Sequence, residues 1–107
     1  MADKEIKKYL PLSEATFYIL LSLVEPLHGY GIMQKVESIS EGTVTIGPGT
    51  LYGAFTALEK DGLIKMVKEE ERRKSYLLTE RGRQVLAEQI RRMEIMNKIG
   101  QSILPKL

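Results

Sequence analysis

Residues 47–64, GPGTLYGAFTALEKDGLI, carry the pattern that decides the fold. Pro48 suits the first turn of a helix, where its missing N–H costs little, and Gly62 suits the position just after a helix ends. At about 100° per residue, four apolar residues between them share one face: Leu51, Ala54, Phe55 and Leu58. The opposite face carries Gly49, Gly53, Thr56 and Lys60, with Thr50 and Tyr52 on its flanks. This stretch therefore predicts an amphipathic helix whose outer face is nearly bare.

Two further helices are predicted upstream. The first follows Ser13, a good N-cap, and residues 14–24 are apolar on nearly every face, so this helix is expected to be central. The second starts near Gly29 and repeats apolar residues at spacings of four and three. Residues 1–11 either form an arm that docks through Ile6, Tyr9 and Leu10 or fray.

Downstream, the pattern changes to short strands and then a long helix. The β-branched run TVTI (43–46) predicts a small strand. Residues 63–68 and 74–79 flank the charged tip EEERR and predict a β-hairpin. Thr79 is the expected N-cap of a helix that continues to about residue 100. The fold class is therefore mainly α with a small β-hairpin: a winged helix-turn-helix, whose hairpin is the wing, plus a long C-terminal helix.

Length and composition favour one globular core. The chain has 107 residues, of which 43% are hydrophobic and 28% charged, a balance that argues against disorder and against a membrane protein. The net charge is only +2, so attraction to nucleic acid depends on where the charges lie. The absence of cysteine and of a signal peptide leads us to expect a cytoplasmic protein with no membrane partner.

Three motifs resemble the PadR family of bacterial transcriptional regulators. They are LHGYGIMQKVE (27–37), GPGTLYGAFTALEKDGLI (47–64) and RKSYLLTERGRQVL (73–86), and they stand in the family's order and spacing. The single long C-terminal helix resembles the short subclass. This resemblance implies a winged-helix DNA-binding domain over residues 1–79, which includes an N-terminal arm, and a dimerisation helix over residues 80–107. It also implies a repressor that binds double-stranded DNA at a palindromic operator as a homodimer.

Two positions depart from the family's pattern. The family commonly has an acidic residue where this chain has Gly31, and a proline where it has Gly53. Neither change removes a charged DNA contact. Each glycine is expected to destabilise its helix by roughly 1 kcal/mol relative to alanine.

The bare face of the third helix is the predicted DNA-reading surface, because small residues let a helix backbone approach the major groove closely. The competing interpretation is a solvated face without a partner. Thr50 and Tyr52 offer hydroxyls to phosphates, but this face has no Arg to read guanine and no Asn or Gln to read adenine, so base discrimination is expected to be modest. The full set of expected DNA-binding residues is Tyr30, Lys35, Pro48, Gly49, Thr50, Tyr52, Thr56, Lys60, Arg72, Arg73 and Lys74.

The wing tip carries an ambiguous charge pattern. Arg72, Arg73 and Lys74 suit contact with phosphates or the minor groove, yet residues 69–71 are three glutamates that nearly cancel them. The alternative is a solvated turn whose charges pair with one another.

The last helix repeats apolar residues that a small winged domain cannot cover alone, so a second copy of the chain is expected to cover them. The residues concerned are Leu86, Ile90, Met93, Met96 and Ile99. Methionines also suit adaptable pockets. Some relatives bind flat hydrophobic compounds between such helices, so a small hydrophobic effector is the alternative partner of this surface. This helix has no aromatic residue, and a plain dimer core is the favoured interpretation.

The sequence offers no basis for enzyme chemistry. One histidine, no cysteine and carboxylates in solvated runs supply neither an activated nucleophile nor a metal set, so we expect no cofactor and no metal. His28 is expected to be a structural hydrogen-bonding residue. The second candidate function is a winged-helix module that binds protein instead of DNA, for which the acidic wing is the supporting feature.

Overall fold

Over residues 4–107, which the computed structural model describes with the exception of the Lys4 side chain, the chain forms five α-helices and three strands. The elements are α1 (Lys4–Lys7), α2 (Glu14–Ser22), β1 (Leu27–His28), α3 (Gly29–Ile39), α4 (Pro48–Lys60), β2 (Ile64–Glu70), β3 (Arg73–Leu78) and α5 (Glu80–Ile103). A 3₁₀ turn, Leu104–Lys106, follows α5. Helices α2, α3 and α4 precede a hairpin and a long helix, so the predicted winged helix-turn-helix with a C-terminal helix is confirmed.

Helix α2 is central, as its uniformly apolar sequence predicts. Every residue from Ala15 to Leu23 is buried or half-buried. The helix begins where Ser13 Oγ accepts a hydrogen bond from the Thr16 backbone N–H at 3.1 Å, which satisfies one of the free donors of the first turn. It ends at Ser22, two residues before the predicted end.

Helix α4 follows the predicted limits closely. Pro48 occupies its first turn, and Gly62 ends it with a φ of +74°, a left-handed conformation that costs glycine little. Leu51, Phe55 and Leu58 face inward and are buried. The amphipathic pattern of residues 47–64 thus places one side of α4 in the core and leaves the other exposed.

The three strands form one antiparallel sheet in the order β1-β3-β2. Glu71 and Arg72 alone join β2 to β3, both at positive φ (50° and 68°), which matches the twist that a two-residue hairpin requires. The strand predicted at 43–46 is wrong, since no strand is found there. Those residues find no partner strand, and Val44 and Ile46 pack against the core instead. The third strand is β1, which pairs Leu27 with Tyr76.

The start of α5 is fixed to the end of α4. Thr79 Oγ1 accepts from the Gly82 backbone N–H at 3.0 Å and donates to the Gly62 carbonyl at 2.6 Å. Gly82 lies directly against the backbone of Leu63, where a Cβ would overlap the carbonyl oxygen. The N-terminal part of α5 is therefore built into the winged domain, and Val85 is fully buried there.

The N-terminal segment docks rather than frays over the residues described; residues 1–3 of the predicted arm lie outside them. Ile6 is buried, and Tyr9 and Leu10 pack against the core. The Leu12 backbone N–H donates to Gln89 Oε1 of α5 at 2.8 Å. The segment thus bridges the core and α5.

Gly31 and Gly53, the two glycines that depart from the family's pattern, lie inside continuous helices. A Cβ on Gly31 would come within 2.8 Å of the Leu27 side chain, so glycine permits the close packing of α3 on β1. A Cβ on Gly53 would meet no heavy atom within 4 Å. Packing therefore accounts for Gly31 but not for Gly53.

Candidate nucleic-acid interface

A groove runs between the start of α3, the exposed side of α4 and the hairpin. Its volume is about 400 Å³. Five of the expected DNA-binding residues, which come from three separate segments of the chain, line this groove: Tyr30, Tyr52, Arg72, Arg73 and Lys74. The fold therefore brings the start of α3, the candidate recognition helix and the wing tip to one place.

Three aromatic rings form the wall that joins α4 to the wing. The rings of Phe55 and Tyr76 stack with centroids 4.4 Å apart, and Tyr52 meets Phe55 edge-on at 6.2 Å. The Tyr52 hydroxyl lies 3.8 Å from the place that a Cβ on Gly29 would occupy. Tyr52 thus reaches from α4 to the first turn of α3.

The cations of the wing tip are free of ion pairs within residues 4–107. The ion pair of the hairpin joins Lys68 Nζ and Glu70 Oε2 at 3.4 Å, whereas Arg72, Arg73 and Lys74 form none. The strand register places Glu69 opposite Lys74. The wing charges are therefore balanced in number but only partly paired, and the three cations remain available to an anion.

Burial and two acidic neighbours act on the tyrosine at the groove floor. Tyr76 is 8% exposed, and its burial is the largest cause of a raised pKa, followed by the negative charges of Glu59 and Glu69. A phenol is protonated at neutral pH even at its ordinary pKa of about 10, so Tyr76 is a hydrogen-bond donor there.

The outer face of α4 is open to solvent along its length. Pro48, Gly49, Thr50, Tyr52, Thr56 and Lys60 are all exposed. As at Gly53, a Cβ on Gly49 would meet nothing within 4 Å, so internal packing requires neither glycine. The Thr56 hydroxyl donates to the Tyr52 carbonyl at 3.1 Å, which leaves only its acceptor capacity free.

Lys35 is not brought to this groove. It is exposed on another side of α3, where it lines a separate depression together with Glu25 and Gln34. Tyr30, by contrast, lies at the groove and is 62% exposed, and its hydroxyl accepts from Gln34 Nε2 at 3.3 Å.

His28 has the structural position that its sequence context predicts. Its Nδ1 accepts from the Gly31 backbone N–H at 3.3 Å, which caps the start of α3. Over residues 4–107, no group of three or more His, Cys, Asp or Glu side chains is arranged to hold a metal ion. Within the same range, no helix has both the length and the apolar character needed to cross a bilayer.

Leu86, which was expected at the dimer surface, lies in the core of the chain itself. It is only 6% exposed and belongs to the chain's own core, because this part of α5 packs under the winged domain. The exposed apolar stripe begins one turn later and comprises Ile90 and Met93, each 38% exposed, followed by Met96 at 56% and Ile99 at 62%.

Four residues of the groove were missed by sequence reasoning: His28, Gly29, Phe55 and Tyr76. Phe55 and Tyr76 look like ordinary core residues in a helix and a strand. Their common position at the groove floor depends on how β3 packs against α4, and no local pattern reports that.

Comparison with known proteins places this geometry in a family context. Residues 17–88 match the sequence profile described as the transcriptional regulator PadR-like family. An uncharacterised 37.1 kDa protein from a Streptomyces fradiae transposon is 33% identical over 87% of this chain and 27% of its own length. The transcriptional regulator YqjI of Escherichia coli is 32% identical over 66% of this chain and 34% of its own length. The chain thus spans about a quarter to a third of these relatives.

A solved structure agrees over nearly its whole length. A transcriptional regulator from Clostridium thermocellum superposes with a TM-score of 0.69 at 27% identity. The match covers 94% of this chain and 97% of that one. The similarity therefore includes α5 as well as the winged helix.

Proposed function

Since this chain belongs to the PadR-like family of transcriptional regulators, we propose that it binds double-stranded DNA as a homodimer and represses transcription from a palindromic operator. Members of this family are transcriptional regulators and not enzymes. The observation that carries the proposal is the groove, where Tyr52 of α4 lies beside Tyr30 and the cations of the wing tip. A cytoplasmic site of action accompanies this function.

In the proposed complex, α4 enters the major groove with its bare face and the wing tip reaches the flanking backbone. Gly49 and Gly53 support close approach, because nothing in the chain itself occupies the space beside them. Thr50 and Tyr52 contact phosphates near the start of α4, where the helix dipole favours anions. Base discrimination rests on Thr56 and on DNA shape, so specificity for a single base is modest.

The apolar stripe of α5 supports the homodimer. From Ile90 onward its residues lie outside the chain's own core, and single protomers rarely leave so many large apolar side chains uncovered on one helix. A second copy, packed along the same stripe, would cover them and place the two α4 helices about one DNA turn, roughly 34 Å, apart.

Regulation by a small hydrophobic effector is the remaining part of the proposal. Met93 and Met96 supply flexible side chains on the stripe, and a compound bound there would change the separation of the two DNA-binding heads. Identical head spacing in free, DNA-bound and effector-bound forms would contradict this mechanism.

The test of DNA binding is fluorescence anisotropy with duplexes selected from a random pool and with the promoter of the chain's own gene, at a series of salt concentrations. For a DNA-binding regulator, the logarithm of the binding constant falls linearly with the logarithm of the salt concentration, with a slope of several units. Failure to bind any duplex at low salt would overturn the proposal and favour a protein partner, for which Glu59 and Glu69 near the groove would be the attracting charges.

A further inference from the structure

The floor of the groove contains a largely buried tyrosine whose hydroxyl makes no hydrogen bond to the protein itself. Tyr76 is 92% buried, since its exposed fraction is 8%, and its ring is held by the stack on Phe55. No hydrogen bond joins its hydroxyl to any other residue in the range 4–107. A tyrosine that is buried to this extent normally finds a partner for its hydroxyl.

This hydroxyl is nevertheless open to a ligand. No buried side-chain nitrogen or oxygen of the described residues lacks a partner, so the unpartnered Tyr76 oxygen must retain some contact with solvent. Tyr76 lines the groove, and we infer that this small accessible part faces it. The hydroxyl can therefore bind a ligand at the bottom of the groove, which opens toward the proposed DNA surface.

Three cations line the groove beside Tyr76 and outnumber the two glutamates whose negative charges also act on it, so the groove favours a compact anion. Lys74 precedes it by two residues on β3, so both side chains lie on the same side of the sheet. Arg72 and Tyr52 line the same groove, as does the first turn of α3, whose dipole attracts negative charge. A neutral ligand would use only the hydroxyl, whereas a phosphate group would also accept charge-assisted hydrogen bonds from the cations.

Building on the DNA binding proposed above, we propose that Tyr76 donates a hydrogen bond to one phosphate of the DNA backbone, which is seated in this groove beside Lys74. Tyr76 is thus a further DNA-contacting residue, and its partner is the backbone and not a base. A tyrosine hydroxyl is protonated at neutral pH, which suits donation to an oxygen that carries negative charge.

The proposal predicts opposite effects of one substitution on stability and on binding. Tyr76→Phe keeps the ring and its stack but removes a hydroxyl that has no partner in the free protein. The free protein should therefore be as stable as the parent or more stable, while affinity for every duplex falls by about tenfold or more. A merely structural hydroxyl would instead lower stability and leave the affinity of the folded protein unchanged.

Tyr18→Phe is the matched control. Tyr18 is a half-buried tyrosine on α2, and its hydroxyl also lacks a partner among the described residues, but it does not line the groove. Its replacement should leave DNA affinity unchanged. A loss of affinity equal to that of Tyr76→Phe would show that the effect does not come from the groove, and would overturn the proposal.

The decisive experiment pairs Tyr76→Phe with duplexes in which single phosphates are replaced by neutral methylphosphonates. At one backbone position per half-site, the loss from the methylphosphonate and the loss from Tyr76→Phe should not add, because both remove the same hydrogen bond. Additive losses at every position, parental affinity of Tyr76→Phe, or failure of this variant to fold would each overturn the proposal.

A second arm separates backbone phosphate from free phosphate. Inorganic phosphate is titrated into the parent and into Tyr76→Phe while the Tyr76 region is followed by NMR. The proposal expects no saturable binding at millimolar phosphate, and tight, Tyr76-dependent binding of free phosphate would overturn the assignment to DNA. If the parent binds no duplex at all, the proposed function itself fails, which is distinct from a parent that binds and a variant that binds equally well.

Discussion

The ring of Phe55 in α4 lies against the ring of Tyr76 in β3, with centroids 4.4 Å apart and planes inclined by 29°. Both residues are buried, and Tyr52 adds an edge-on contact to Phe55. These rings connect the exposed helix to the strand that leads from the wing tip. Packing within the free protein therefore sets the position of the wing relative to α4.

Replacement of Phe55 should loosen this connection. Phe55→Leu keeps an apolar side chain but loses the stack and leaves a small cavity, so we expect the free energy of unfolding to fall by about 1 to 2 kcal/mol. Urea denaturation followed by circular dichroism, at one fixed protein concentration, measures it. Phe17→Leu is the control, because Phe17 is only half-buried and should cost less. Equal losses for both variants would contradict a special role for the stack.

Gly53→Ala should separate stability from function. Nothing lies within 4 Å of the new Cβ, so the substitution should stabilise α4 by about 0.5 to 1 kcal/mol through helix propensity. It should also weaken DNA binding several-fold, because the added methyl group holds the helix backbone away from the bases. Ser38→Ala, on the exposed side of α3, is the control that gains helix propensity without a change in affinity. Unchanged affinity of Gly53→Ala would mean that the bare face is not the contact surface.

Lys74→Gln should reduce the salt dependence of DNA binding. Loss of one phosphate contact should lower the magnitude of the log-log slope by about 1 for each protomer bound, for all duplex sequences alike. Lys106→Gln, in the C-terminal 3₁₀ turn, serves as the control for a lost surface charge. If both variants change the slope equally, the wing cation makes no specific contact.

Met96→Glu should disrupt the proposed dimer. The side chain of Met96 is 56% exposed in the single chain, so a glutamate there costs the folded protomer little. Buried in an interface, the same charge would cost several kcal/mol. Analytical ultracentrifugation should therefore show monomers. Lys98→Glu, about 200° around α5 from Met96, should leave the dimer intact; a dimer that survives Met96→Glu would exclude the stripe as the interface.

Glu88→Gln should change how stability depends on pH. Two hydrogen bonds from Arg91 Nε, at 2.6 and 3.1 Å, lower the pKa of the Glu88 carboxyl below its ordinary value of 4.5, and the positive charge of Arg91 adds to this. A carboxyl with a lowered folded pKa stabilises the fold fully above about pH 5, and this contribution is lost as the pH falls through the folded value. The parent should melt higher than Glu88→Gln at pH 7, and the difference should shrink toward pH 3.

Glu94→Gln is the control for this pH series. Glu94 is exposed on the same helix and makes no ion pair within residues 4–107. Its melting temperature should follow that of the parent across the range. A constant gap between the parent and Glu88→Gln at all pH values would show that charge is not the source of the difference.

Local chemistry made most of the fold predictable. Ser13 and Thr79 cap their helices through hydrogen bonds to residues three positions away, and Gly62 ends α4 through its own backbone freedom. Such signals lie within a few neighbouring residues, so the sequence carries them directly. The inward face of α4 was equally visible, because its period matches the helix.

What the sequence did not reveal depends on distant partners. Strand β1 exists only because Leu27 and His28 pair with β3, whereas the β-branched run at 43–46 has no strand beside it. The helical period of α5 could not show where its stripe leaves the domain, which is why Leu86 was assigned to the wrong surface. The open hydroxyl of Tyr76 could be recognised only after α4 and β3 were placed together.

The joint between Gly62, Leu63, Thr79 and Gly82 makes α5 a lever. The start of this 24-residue helix is hydrogen-bonded to the residue that ends α4 and packs against the residue that precedes the wing. Helix α5 and the winged domain therefore cannot rotate independently there. The helix is about 36 Å long, so a pivot of about 5° at its far end moves the DNA-binding head by about 3 Å. If two copies cross along α5, a change of this size in their crossing angle would move each head by about a tenth of a DNA turn.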